Sequence, residues 1–262
     1  MMMLFLQSSR YAAPRRGHVL DVRTLSCLSR RRRENMDPIV SVIIISYNCA
    51  EYISKAIESC LSQSCKNIEI IIGDDGSTDN SKDVIDEYIS KYPKVIKCYI
   101  MERPSDERNI IPSIRVSKNI KRALQYAKGK YIRVMSADDY YEDKFLFEKQ
   151  LKILEANNEY SSVTCGYRKV WPDGKNEEYY PPRNINSIFW SGMYVHVSCL
   201  LIRQEVLKGR YLLPRLCDDT GLLYSAIISG KCLGMPSICF VLYITFGCFF
   251  YENIKILVLW GK

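Results

Sequence analysis

The sequence predicts a doubly wound α/β domain, a mostly parallel sheet with helices on both faces. Two observations carry this expectation. Apolar, β-branched runs of strand length alternate with segments of helical periodicity along most of the chain. Three of these runs then close in polar clusters: Val40 to Asn48, Ile68 to Asp79 and Tyr131 to Asp139. Ligand clefts in open α/β sheets form at the carboxyl ends of neighbouring parallel strands. Carboxylates at those ends suit a divalent cation and a phosphate-bearing ligand better than a bare phosphate.

Each element follows from its local pattern. Residues 39–46 form a continuous apolar run, as a strand buried on both faces requires. Residues 50–63 place Ile53, Ala56, Ile57 and Leu61 on one helical face, and 68–72 form a second buried strand. Ser77 and Asp79 are suited to cap a helix over 80–90, where Val84, Ile85, Tyr88 and Ile89 recur at helical spacing. A strand over 95–101 leads into a polar loop ending near Pro112. A helix over 113–127 follows, ended by Gly129, and then a strand over 131–135. Beyond Tyr141 a helix over 145–157 and a strand over 162–170 are expected. The stretch 171–183, with Pro172, Gly174, Pro181 and Pro182, reads as a surface loop. A strand over 195–202, a short helix over 203–208 and a helix over 219–229 complete the series.

Charge and composition narrow the function classes. The 262-residue chain has a formal net charge of +8. Residues 1–36 hold eight Arg against Asp21 and Glu34, a net +6, which leaves about +2 for the rest. The domain is therefore nearly neutral and shows no basic stripe interleaved with aromatics, which argues against nucleic acid as a partner. The cysteines are scattered, without a paired or zinc-like spacing, and read as reduced thiols of a cytosolic compartment. Residues 1–36 read as a basic leader outside the domain, disordered or upstream of a natural start at Met36; the alternative is a transit peptide. Residues 37–243 form the domain. Residues 244–262 form an apolar tail, in continuation of a run that begins at Ile238 and reads as a buried strand. Neither of the two apolar pieces of this end, residues 238–250 and 256–260, reaches the roughly 18 residues of a spanning helix, so the alternative for this end is peripheral anchoring at the inner face of the membrane.

Each polar cluster taken singly has a plain structural explanation. Asp138-Asp139 can ligate Mg²⁺ or Mn²⁺, or can form a turn. Asp74-Asp75-Gly76-Ser77 can hydrogen-bond a base or ribose, or can likewise be a turn. Tyr47 can stack on a nucleobase, or can be a half-buried core residue. Their ordered combination at successive strand ends is far more specific. A dinucleotide-dependent oxidoreductase is disfavoured because no G-x-G-x-x-G follows the first strand. A nucleotidyltransferase would want a Gly-rich, basic phosphate loop where Ser46-Tyr47-Asn48-Cys49 stands.

Together these segments resemble the inverting glycosyltransferases of family 2, which have the GT-A, Rossmann-like fold. The resemblance rests on Val42-Ile43-Ile44-Ile45-Ser46-Tyr47-Asn48, on Ile72-Gly73-Asp74-Asp75-Gly76-Ser77-Thr78-Asp79, on Ser117-Lys118-Asn119, and on Ser136-Ala137-Asp138-Asp139 at the family's metal-binding motif. It implies that Tyr47 stacks on the base and that Asp75, with Asp74 beside it, binds the base edge. Lys118 fits a basic position of the family's nucleotide site. The resemblance also implies that Asp138 and Asp139 hold ribose and a Mg²⁺ or Mn²⁺ that bridges the diphosphate. The family's catalytic base matches Asp219, with Asp218 in the place of its acidic neighbour. The implied reaction is metal-dependent, inverting sugar transfer from a nucleoside-diphosphate donor, UDP- or dTDP-linked, to a hydroxyl of a glycan or lipid-linked acceptor. After Tyr243 the chain departs from the family pattern, and the alternative reading is a catalytically impaired nucleotide-sugar-binding protein.

Overall fold

The computed structural model describes residues 37–102, 112–185, 195–207 and 218–243. The basic leader and the apolar tail lie outside these residues.

The first half of the domain is built as the sequence predicts. Strands β1 (Val40–Ser46), β2 (Ile68–Asp74), β3 (Ile96–Ile100) and β4 (Tyr131–Ser136) are mutually parallel and lie in the order β3-β2-β1-β4. Helices α1 (Ile53–Leu61), α2 (Ser81–Lys91) and α3 (Pro112–Leu124) connect them. Side chains of a strand alternate between faces, and two separate cores result. On one face Val40, Val42, Ile44, Ile70 and Ile72 pack with Ile53, Ala56 and Ile57 of α1 and Ile85 of α2. On the other face Ile43, Ile71, Ile132 and Val134 pack with Ile120 and Ala123 of α3. This double burial is why β1 and β2 read as largely apolar runs, and the polar residues within them, Ser41 and Glu69, are hydrogen-bonded to each other.

The second half completes the sheet. Helix α4 (Leu146–Ala156) joins the first core through Leu146, Phe147, Leu151 and Leu154. Strand β6 (Tyr160–Val170) is long, and β8 (Leu201–Arg203) pairs antiparallel with both β4 and β6. Strand β6 therefore points the same way as β1, β2 and β4. Helices α5 (Gln204–Leu207) and α6 (Asp218–Ser229) add Val206, Leu207, Leu222 and Ala226 to the second core. Strand β9 (Lys231–Tyr243) runs parallel to β6 and carries the two-residue strand β5 (Tyr140–Tyr141) on its far side.

Three expectations need correction. The stretch 171–183 is not all loop: β7 (Asn176–Tyr179) pairs with the end of β6 as a hairpin. All four of its residues are exposed, so no apolar alternation marks it. Its turn uses Gly174 at φ 83°, a left-handed conformation that costs a glycine nothing. The strand expected over 195–202 shrinks to β8, because Val197–Cys199 forms a 3₁₀ turn ahead of it. The strand expected from Ile238 begins earlier, at Lys231. Pro236 hides this start, since a proline interrupts strand pairing. The ladder absorbs it by jumping in register from Thr164–Gly234 to Gly166–Ile238.

Candidate functional site

Strands β1, β2 and β4 end at one level. Ser46 is paired with Asp74, and Ile45 with both Gly73 and Ser136. The chain leaves β1 for β2 on one side, while β4 lies on the other, so the topology switches between β1 and β4. Clefts form where strand order reverses in this way.

The β1 and β2 loops are tied to each other. Asn48, at φ 51°, accepts a hydrogen bond at Oδ1 from the Thr78 N–H at 2.8 Å, and its own N–H donates to Ser77 Oγ at 2.9 Å. The N–H of Cys49 donates to Ser81 Oγ, and that of Ala50 to Asp79 Oδ2 at 3.1 Å. Asp74 turns onto its own loop, accepting from the N–H groups of Gly76 and Ser77 and from Ser77 Oγ. The acidic hallmark thus divides its labour. Asp74 and Asp79 build the loop, and Tyr47 stands at its rim with 41% of its surface exposed.

Asp75 meets a residue that sequence reasoning missed. Arg115 of α3 contacts its carboxylate through Nη2 at 2.6 Å and through Nε at 2.9 and 3.0 Å, and both side chains are buried. One turn further on, Asn119 donates to the carbonyl of Gly73 at 2.7 Å. Lys118, the cation expected here, lies exposed on the same helix. The available signal was the helical spacing of two polar residues, Arg115 and Asn119, next to the core-facing Ile120 and Ala123.

Asp138 and Asp139 follow β4, and both are buried. Ser198 Oγ lies 3.4 Å from Asp139 Oδ2. The turn that carries Ser198 is held from below by Arg133, a fully buried side chain of β4 whose Nη1 donates to the Ser198 carbonyl at 2.9 Å. Arg133 also donates to Gln150 Oε1, and its guanidinium packs against the rings of Tyr141 and Phe147. Gln150 Nε2 in turn donates to the carbonyls of Val163 and Cys199, both at 3.1 Å. Both Nη atoms of the buried Arg133 are paired while its Nε is not, and paired buried groups of this kind fix geometry. Among the described residues no three His, Cys, Asp or Glu gather as a metal cluster. The two adjacent carboxylates suit a hard cation that takes its remaining oxygens from substrate phosphate and water.

Asp218 and Asp219 form the first turn of α6; their side chains lie outside the described residues. Helix α6 passes almost directly into β9, which enters the sheet at its amino edge. At 1.5 Å per residue the helix leads back about 18 Å. Helix α6 also packs against the Val197–Cys199 turn that carries Ser198.

Comparison with known proteins agrees with this geometry. Residues 41–210 match the model of glycosyl transferase family 2, a stretch that ends before Asp218 and Asp219. The hyaluronan synthase of Pasteurella multocida is 33% identical over 157 residues, which cover 55% of this chain and 15% of that protein. An uncharacterized glycosyltransferase of Rickettsia felis is 39% identical over 157 residues, 60% of this chain and 23% of that protein. The chain thus spans under a quarter of the length of these two curated relatives. Among solved structures, S. aureus TarS 1-349 in complex with UDP superposes with a TM-score of 0.62 at 17% identity, covering 79% of this chain and 60% of that one. The mannosyltransferase PcManGT of Pyrobaculum calidifontis, in complex with GDP-Man and Mn²⁺, does so with a TM-score of 0.58 at 16% identity, covering 83% and 63%. With the sheet order of a GT-A domain and the family's segments at the ends of β1, β2 and β4, the chain belongs to glycosyl transferase family 2.

Proposed function

We propose that this chain transfers a sugar, with inversion, from a nucleoside-diphosphate donor, UDP- or dTDP-linked, to a hydroxyl of a glycan or lipid-linked acceptor. The observation that carries the reading is the level termination of β1, β2 and β4, which brings Tyr47, Asp75 and the Asp138–Asp139 pair to one edge. The neighbours solved with UDP, with UDP-GlcNAc and with GDP-Man and Mn²⁺ support a nucleotide sugar as donor. The hyaluronan and chondroitin synthases among the relatives support a glycan acceptor.

Each residue has a separate task. The Tyr47 ring stacks on the base, and Asp75, oriented by Arg115, receives its edge. Asp74 shapes the loop between them, and Lys118, exposed on α3, meets the nucleotide's charge. Asp138 and Asp139 hold ribose and Mg²⁺ or Mn²⁺; the cation, when bound, neutralises the diphosphate leaving group. Asp219 takes the proton from the acceptor hydroxyl as that oxygen attacks the anomeric carbon opposite the leaving diphosphate. One base and one displacement give inversion, with no nucleophilic carboxylate on the protein. Asp218 is the next candidate for the base. No described helix is long and apolar enough to cross a membrane.

Two variants test this. Asp139→Ala should lose the Mn²⁺-dependent part of UDP binding in calorimetric titration while the fold survives. Asp219→Asn should keep UDP binding and lower turnover by about 10²–10⁴-fold. Near wild-type turnover in Asp219→Asn would remove Asp219 as the base.

A further inference from the structure

A second concave site lies on the same edge of the sheet. It is a cavity of about 280 Å³ lined by Cys165 and Tyr167 of β6, Tyr179 to Pro182 at the end of the hairpin, and Val195 with His196. Its position follows from topology. Strand β6 runs in the direction of β4, so its carboxyl end lies on the edge where Asp138 and Asp139 stand. His196 links the two sites, since its Nδ1 accepts from the N–H of Ser198, whose hydroxyl lies against Asp139.

The lining specifies the ligand's chemistry. Tyr167 and Tyr179 stack with ring centroids 4.9 Å apart, and His196 packs at 5.7 Å from both Tyr167 and Phe240. Burial and the positive charge of Lys169 push the His196 imidazole down to about 4, so it is neutral near pH 7. Among the described residues no carboxylate and no cation lines the cavity. Hydroxyls and carboxylates stand instead on the hairpin: Tyr179 Oη donates to Glu177 and Tyr180 Oη to Glu178, both at 2.7 Å. These bonds hold two tyrosines in place although 39% and 55% of their surfaces are exposed. The volume falls just below the roughly 300–1,000 Å³ of drug-sized pockets, which suits one ring.

We propose that this cavity is the acceptor's saccharide subsite, holding one uncharged pyranose ring against the tyrosine faces with its hydroxyls toward the hairpin. The proposal rests on the transferase reading and adds to it the acceptor's class: a neutral sugar unit, in preference to a prenyl chain or an acidic sugar. Aromatic faces bind the C–H side of a pyranose through the same quadrupole that favours other edge-on partners, and the described lining residues offer a carboxylate no directly paired cation.

Saturation-transfer NMR on the full chain tests it, with methyl β-D-glucopyranoside and methyl N-acetyl-β-D-glucosaminide as probes and UDP with Mn²⁺ titrated in parallel. Saturation should reach the ring protons of at least one glycoside. Tyr179→Ala should weaken that binding about three- to tenfold, the worth of one aromatic face. Tyr179→Phe should retain it, and both variants should bind UDP as the wild type does. Absence of glycoside binding, equal binding in Tyr179→Ala, or displacement of the glycoside by geraniol would each overturn the subsite. Failure of UDP to bind would instead sink the transferase reading, whatever the glycosides do. Tyr180→Ala provides a second variant at a more exposed position should Tyr179→Ala fail to fold.

Discussion

Arg115 Nη2 lies 2.6 Å from Asp75 Oδ1, and at most a twentieth of either side chain is exposed. The pair joins α3 to the end of β2, so the residue proposed to receive the base is fixed by a helix distant in sequence. Removing one partner of a buried pair leaves an uncompensated charge. Arg115→Met should therefore cost about 3–5 kcal/mol in urea denaturation. The double variant Asp75→Asn with Arg115→Met should cost less than Arg115→Met alone. A single variant within about 1 kcal/mol of wild type would place the pair among weak surface contacts.

Gly73 is required by the approach of Asn119. A Cβ at this position would stand 2.3 Å from Asn119 Oδ1. Gly73→Ala should lower stability by about 1–3 kcal/mol through overpacking. Adding Asn119→Ala should recover part of that loss, because the clashing atom is gone. Strict additivity of the two changes, read from urea midpoints, would contradict the contact.

Asp79 makes the tie between the β1 and β2 loops sensitive to acid. Burial works to raise its pKa. Hydrogen bonds from the Ser81 side chain and from the N–H groups of Ala50 and Ser81 outweigh it, and the carboxyl is held below its ordinary 3.8. A folded value below the unfolded one stabilises the fold above pH 3.8, and that stabilisation is lost as the pH falls further, through the folded value. The Tm difference between wild type and Asp79→Asn should thus be largest near neutral pH and shrink below about pH 3.8. A difference that stays constant to the lowest pH reached would show that the charge is not what ties the loops.

His196 titrates in a different window. Its pKa falls from 6.5 to about 4, chiefly through burial and secondarily through the positive charge of Lys169. Here too the folded value lies below the unfolded one. The stability that comes from keeping it neutral is complete above pH 6.5 and is lost as the pH falls toward 4. In His196→Gln the fall of Tm between about pH 7 and pH 4 should be shallower than in wild type. Parallel curves would mean that His196 is already open to protonation in the fold.

The thiols offer a further check. Burial pushes Cys60 and Cys98 up to about 12, and Cys60 has no exposed surface. The thiolate is the reactive form. Native protein should therefore label at Cys60 only at the rate of unfolding, measured by peptide mapping after alkylation at about pH 8. Rapid native labelling of Cys60 would contradict the packing around α1.

The sequence by itself determined the doubly wound half of the domain. Residues 40–46 and 68–74 had to be buried on both faces, and apolar runs interrupted only by Ser41 and Glu69 before their polar ends are the record of that. Helices α1 and α4 were legible because their apolar residues recur at helical spacing. The strand-end clusters at Tyr47, Asp74–Asp75 and Asp138–Asp139 were legible because polar residues abruptly closed those runs. What escaped was whatever depends on a partner far along the chain. Strand β7 has no apolar face, and its pairing comes from the backbone of β6. The start of β9 carries Gly234 and Pro236, and only a register jump against β6 accommodates them. Asp74 and Asp75 are neighbours of one residue type. Which one turns onto its own loop and which one meets Arg115 was decided only when α3 packed over β2. Arg133 likewise reads as a charge within a strand. The fold made it the support of the Ser198 turn, because Gln150, Tyr141 and Phe147 close around its guanidinium. Local pattern records burial and periodicity; the pairing of polar groups across tens of residues is set by tertiary packing alone.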